Sequence, residues 1–166
     1  GLVNFQQNNA RRSDHILDKA FGKTTKVLRL NVSGDIFRPN ADTARGYSVD
    51  LDYLADIVAK CEQFPHITVY GYTHDAECLA SEVDMNELPA NLHFLASVDT
   101  PEQAEKARRL GFNTARVIEV PSEKQADETL CPYDLLKYQA GTGSPVTCST
   151  CKMCWKQKNI AFVKQK

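Results

Sequence analysis

Apolar residues recur along this chain with two spacings, and the two alternate. Val27-Leu-Arg-Leu-Asn-Val32, Ile67-Thr-Val-Tyr-Gly-Tyr-Thr73, Leu92-His-Phe-Leu-Ala-Ser-Val98 and Thr114 to Val120 are short runs rich in branched and aromatic residues, which predicts buried strands. Ile160-Ala-Phe-Val163 predicts a short last one. Between the first two runs, Leu51, Leu54, Ile57, Val58 and Cys61 fall on one helical face; Asp50 is placed to cap that helix and Pro65 to end it. Cys61 lies on the apolar stripe and reads as a small core residue. Thr100-Pro101-Glu102-Gln103 predicts another helix start, with Thr as cap, Pro in the first turn and Gln reaching back; Gly111 closes that helix. Residues Asn4 to Ala20 are polar and helix-tolerant, with a thin stripe at Ile16, Leu17 and Ala20, and Gly22-Lys23 breaks them off. Phe37 to Tyr47 reads as a loop, and Ser122 to Glu128 as a linker.

Strand, helix and strand in this order predict the α/β class: a mostly parallel sheet flanked by helices. The strands at Val27, Ile67, Leu92 and Ala115 are expected to be neighbours in that order. An eight-fold barrel needs roughly 250 residues, so 166 residues predict an open sheet or a partial barrel. The expectation is one domain, 1–166, with a cysteine-rich metal-binding region at 131–154.

Composition narrows the class. With 42% hydrophobic and 25% charged residues the balance is that of a soluble globular protein. A net charge of −1 argues against gripping duplex nucleic acid by bulk electrostatics. No apolar run approaches a membrane span and no signal peptide precedes the fold, so no membrane partner is expected. Six cysteines without a secretory context fit a reducing, cytoplasmic compartment, where thiols serve metals rather than crosslinks.

The densest chemistry is Cys148-Ser-Thr-Cys151-Lys-Met-Cys154, with Cys131-Pro132 upstream. Packing does not call for sulfur at i, i+3 and i+6, and three such close thiols cannot all pair locally as disulfides. Zinc more often takes two separated Cys-x-x-Cys knuckles. An unbroken triple run with one distant partner is nearer to iron–sulfur ligation. The expected centre on Cys131, Cys148, Cys151 and Cys154 is therefore a [4Fe–4S] cluster, with zinc as the alternative. Gly141-Thr-Gly143-Ser-Pro145 would let the chain double back between the ligands. Cys61 and Cys78 belong to no spaced set and are not expected to be ligands. Lys152, Lys156 and Lys158 would offset a cluster's negative charge; the alternative, a weaker reading, is that with Trp155 they form a small patch for single-stranded nucleic acid.

A second constellation lies on the strand ends. Ser33-Gly34-Asp35, Thr73-His74-Asp75 and Ser97-Val98-Asp99 each follow a predicted strand. Parallel α/β sheets bind ligands at the carboxyl ends of their strands. Asp35, His74 and Asp99 are thus candidate catalytic residues in one shared cleft, His74 being able to shuttle a proton or ligate a metal near neutral pH. His15, His66 and His93 lack such company and read as structural.

The series Leu28-Arg-Leu-Asn-Val-Ser-Gly-Asp35, Gly71-Tyr-Thr-His74, Ser97-Val-Asp99 and Cys148-x-x-Cys151-x-x-Cys154 resembles the bacteriophage gene product 88 family. The likeness runs over most of the chain, and its specificity comes from the conjunction of short motifs. It implies a phage protein acting in the cytoplasm of an infected host cell. Members of that family begin with a further cysteine-bearing segment ending in a Cys-Tyr-Ala-like stretch. This chain has no cysteine before Cys61 and is expected to start just after it. The family carries no assigned activity, so the resemblance implies no reaction. More distantly, Ser33-Gly34-Asp35 after a strand is similar to the Gly-Gly-Glu-type turn of radical SAM enzymes, partial barrels that often carry an auxiliary cluster on C-terminal cysteines. The Cys-x-x-x-Cys-x-x-Cys loop that binds their catalytic cluster is missing here.

Three readings follow. One is a phage iron–sulfur protein on a radical-SAM-like half barrel. Another is a non-catalytic module, stapled by zinc, that binds a host protein or single-stranded nucleic acid. The third is a virion or assembly component, for which the chain offers no positive mark.

Overall fold

A computed structural model describes residues 2–4, 18–31, 34–140, 145–156 and 158–165. It is a mixed α/β protein whose sheet strands pair in parallel and are flanked by helices. The chain divides into two compact units, Gly1–Phe94 and Leu95–Lys166.

In the first unit β1 (Leu2–Asn4) pairs with β2 (Val27–Arg29). The region expected to be helical from Asn4 thus opens as a strand; Asp18 to Ala20 are helical, and Ile16, Leu17, Arg11, Arg12 and His15 lie outside the described residues. The strand expected over Val27 to Val32 is shorter. Leu30 still donates to Tyr70 O at 2.8 Å, but Asn31 turns into the left-handed region (φ 46°), and Val32 and Ser33 lie outside the described residues. Phe37 to Tyr47 is not a plain loop. β3 (Phe37–Pro39) and β4 (Tyr47–Val49) form an antiparallel hairpin. Its turn closes through Asn40 N–H to Gly46 O at 2.9 Å and Gly46 N–H to Thr43 O at 3.0 Å. Pro39 fits because it ends an edge strand, where its missing N–H costs little.

Helix α1 (Leu51–Gln63) starts on Asp50 as expected, with Tyr53 N–H donating to Asp50 Oδ1 at 3.1 Å. Its buried face is Tyr53, Leu54, Ile57 and Cys61, while Leu51 at the first turn is exposed. The stripe is therefore set by Tyr53, a residue the aliphatic pattern passed over. At its end the Asn91 Nδ2 group lies within hydrogen-bond reach of Cys61 O in the helix and of Phe64 O and Ile67 O beyond it. β5 (Thr68–Thr73) pairs in parallel with β2. It is buried on both faces, as parallel strands commonly are. Gly71 fits the tightest point, since a side chain there would meet Leu30 and Phe94 at 3.4 Å. Helix α2 (Ala76–Glu82) follows, capped by Asp75.

β6 (Leu92–Val98) carries the boundary between the units. In the second unit it pairs in parallel with β7 (Asn113–Ile118) from Leu95 onward. Helix α3 (Pro101–Arg109) has the full capping box of Thr100 and Gln103, and Gly111 follows at φ +88°. The stretch expected to be a linker holds a 3-10 turn at Pro121–Glu123 and then β8 (Glu128–Leu130). β9 (Asn159–Val163) pairs in parallel with both β7 and β8. Helix α4 (Pro132–Ala140) and the single turn α5 (Cys148–Cys151) lie between β8 and β9. Ile118, Ala161 and Val163 form a core against which Leu130 and Tyr138 pack. Ile118 and Val163, both almost wholly removed from water, each contribute about 1.5–3 kcal/mol. Among the described residues no helix is long and apolar enough to cross a membrane.

Candidate functional site

The first unit opens a cleft of about 530 Å³ where the carboxyl ends of β2 and β5 meet the hairpin. Gly34 and Asp35 line it from the segment after β2, and His74 and Asp75 from the end of β5. Phe37, Arg38 and Pro39 of β3, with Gly46 and Tyr47, complete the wall. Two chain features aim Asp35. Tyr53 Oη donates to Asn31 Oδ1 at 3.1 Å in the interior, anchoring the left-handed Asn31, and Gly34 makes a second left-handed turn at φ +93°.

Asp35 is largely withdrawn from water. Oδ1 accepts Ile36 N–H and Oδ2 accepts His74 N–H, each at 2.7 Å, and the Thr73 hydroxyl also bonds to it. Burial outweighs these bonds, so its pKa stands above the ordinary carboxyl value. His74 Nδ1 lies 3.5 Å from Asp35 Oδ2, and the imidazole side chain is 74% exposed. The structure thus brings Asp35 and His74 together. Asp99 belongs to the second unit, is exposed, and its N–H donates to Gln103 Oε1 at 2.8 Å at the start of α3.

Asp75 is the most tied-down acid of the cleft. Oδ1 accepts Cys78 N–H at 2.8 Å, while Oδ2 accepts Tyr47 Oη at 2.7 Å and pairs with Arg45 at 3.2 Å. Burial raises its pKa, but these donors prevail and hold it below the ordinary value. The Tyr47 hydroxyl is pushed up in turn by the same hydrogen bond. Glu82 fastens the hairpin to α2, accepting Val49 N–H at 3.1 Å and Cys78 Sγ at 3.3 Å. Burial and that carboxylate push the Cys78 thiol up to about 11, which makes it a quiet core thiol. Arg38, Arg45 and Tyr47 are functional candidates that the sequence reading missed. The available signal was a turn-forming stretch from Asn40 to Gly46 between two short apolar runs.

The cysteine region lies in the second unit. Cys131 is buried just before α4, and its sulfur takes the N–H groups of Tyr133 and Asp134. Burial pushes its thiol up to about 12, and Cys154 is near enough to raise it further. Cys148 and Cys151 are the two ends of α5, which packs on α4. Lys152 then adopts a left-handed conformation (φ 60°), reversing the chain into a 3-10 turn at Met153–Trp155 that carries Cys154 against β9. The expected loop is therefore two short helical turns joined at Lys152. Most of the Gly141 to Pro145 turn lies outside the described residues. Cys148 is exposed, and Cys151 and Cys154 are half-buried. Among the described residues no group of three or more His, Cys, Asp or Glu side chains stands ready to hold a metal ion. The donor chemistry of the four thiols suits a soft metal. Lys152, Lys156 and Lys158 are exposed around this turn.

These features define an α/β protein with a carboxyl-edge cleft in one unit and a four-cysteine segment in the other. Residues 6–160 match the family model described as Gene product 88, nearly the whole chain, and the protein belongs to that family. No curated protein and no solved structure matches it.

Proposed function

We propose that this is a metal-binding phage protein that holds one centre on Cys131, Cys148, Cys151 and Cys154, a [4Fe–4S] cluster before zinc. The single observation that carries this reading is the spacing of Cys148, Cys151 and Cys154, with the buried Cys131 upstream. The i, i+3, i+6 run supports iron over zinc because its three thiols come from one short segment. Backbone N–H groups directed at Cys131 sulfur support it too, since such bonds favour the thiolate that a metal requires. When bound, a cluster would supply electron transfer, and zinc would supply only a structural staple. This chain's part is to present the thiols, shield Cys131 from water and hold cationic lysines nearby. The Gly34–Asp35 turn after β2 is the feature that favours a radical-SAM-like reading of the first unit. The zinc-stapled module, binding a host protein or single-stranded nucleic acid, is the other outcome.

Anaerobic purification with metal and sulfide analysis tests the proposal. The expected product is brown, with about four iron and four sulfide per chain. Each Cys→Ser change at the four positions should lower the metal content, whereas Cys61→Ser and Cys78→Ser should leave it unchanged. A colourless protein with stoichiometric zinc favours the staple. Full metal occupancy in Cys131→Ser would remove that residue from the ligand set.

A further inference from the structure

The cleft of the first unit has charges and an apolar wall that the fold does not use up. Its two acids are satisfied from within. Asp35 is held by two backbone N–H groups and the Thr73 hydroxyl, and Asp75 by Cys78 N–H, Tyr47 and Arg45. Its cationic side chains are less committed. Arg38 meets Asp52 at 3.5 Å with both side chains mostly in solvent, a pair of little strength. Arg45 remains 45% exposed beside Asp75, and the His74 imidazole reaches into solvent from Asp35. Arg38 and His74 line the cavity from β3 and the end of β5, and Arg45 is tied to Asp75, another residue of its lining. The remaining wall is flat and apolar. Phe37 and Tyr47 pack at 5.2 Å between ring centroids, and Pro39 extends the surface.

We propose that this cleft binds a planar anionic ligand of the nucleoside monophosphate class, with its ring against Phe37 and Pro39 and its phosphate between Arg38 and His74. A cavity of about 530 Å³ is of the size that takes such a molecule. A ring contributes by covering the aromatic wall, as bases do on exposed aromatic side chains. The phosphate supplies an acceptor that the exposed Arg38 guanidinium can take in place of its weak pair with Asp52. Asp35 serves as a positioning residue: it accepts the His74 backbone N–H and lies 3.5 Å from Nδ1, which leaves Nε2 for the ligand. The site stands on first-unit residues alone and does not rest on the cysteine centre.

Isothermal titration of the full chain with adenosine 5′-monophosphate and guanosine 5′-monophosphate tests this, with ribose 5-phosphate and adenosine as half-ligands. One saturable site per chain is expected for at least one nucleotide, with each half-ligand weaker by about tenfold or more. Arg38→Ala and His74→Ala both change solvent-facing side chains and should keep the wild-type melting curve while each weakens nucleotide binding by about tenfold. Absence of saturable binding by both nucleotides would overturn the proposal. So would nucleotide binding that is unchanged in both folded variants, or ribose 5-phosphate binding as tightly as the nucleotide. Binding that persists in Cys131→Ser is expected, since that change leaves the cleft intact.

Discussion

Glu128 and Asp35 are both withdrawn from water, and the fold treats them in opposite ways. Glu128, on β8 of the second unit, has a side chain with no exposed surface. Its Oε1 takes Arg116 Nε at 2.8 Å, and its Oε2 takes Arg116 Nη2 at 2.7 Å and Gln125 N–H at 2.8 Å. Arg116 Nη2 also donates to Glu123 O at 2.9 Å. Burial works to raise the Glu128 pKa, but the bidentate guanidinium and the N–H donor hold it below the ordinary value. Asp35, in the first unit, keeps 14% of its side chain exposed, and its partners among the described residues are backbone N–H groups, a hydroxyl and an ionisable imidazole. Its pKa rises. Burial is therefore not what marks a functional acid. A carboxylate neutralised by a buried arginine locks a strand in place, whereas one buried beside an exposed histidine stays responsive at the mouth of a cleft.

The largest expected effect is on stability, and it should fall on one side only. Glu128→Gln leaves the Arg116 guanidinium without its counter-charge in the interior and should cost about 3–5 kcal/mol. Asp35→Asn keeps an amide where a largely withdrawn acid stood and should cost about 1 kcal/mol. Urea unfolding of the two variants measures both, and equal losses would break the comparison.

A smaller effect separates the two acids by pH. The folded pKa of Glu128 lies below its ordinary 4.5, so its contribution is complete above that value and is lost as the pH falls through the folded one. Asp35 runs the other way: its folded pKa lies above the ordinary 3.8, so its contribution is complete below that value and is lost as the pH rises through the folded one. In urea titrations across the acid range, the gap between wild type and Glu128→Gln should widen with rising pH, while the gap to Asp35→Asn should shrink. Parallel trends would show that both acids are held alike.

The smallest effect sharpens the cleft's side of the contrast. Arg38→Ala removes only an exposed pair with Asp52 and should change stability by no more than about 0.5 kcal/mol. A larger loss in thermal melting would mean that Arg38 is structural, not a cation held available to a ligand.

Much of the frame was legible because its signals are local. The Asp50 cap, the Thr100 capping box and the left-handed Gly111 act within a turn of themselves and appeared as read. The strand pairs β2 with β5 and β6 with β7 followed from strand–helix alternation. The elements passed over were β1, the two hairpin strands and β8, each three residues long and too short to show a period. The cleft was half legible. Asp35 and His74 stand at strand ends, where polar residues draw notice, but Arg45 and Tyr47 sat in what read as an ordinary loop.

The sequence by itself determined where several helices start and stop, which stretches are buried strands, and that three cysteines recur at i, i+3 and i+6. Tertiary structure alone decided which groups meet. Arg116 finds Glu128 through strands that share β9 as a neighbour, and His74 finds Asp35 across thirty-nine positions of chain. Tyr47 reaches Asp75 because the hairpin folds over the end of β5. Capping and periodicity are set by backbone geometry within a few residues. The partner of a buried charge depends on which distant segments share a sheet edge, and no local pattern encodes that.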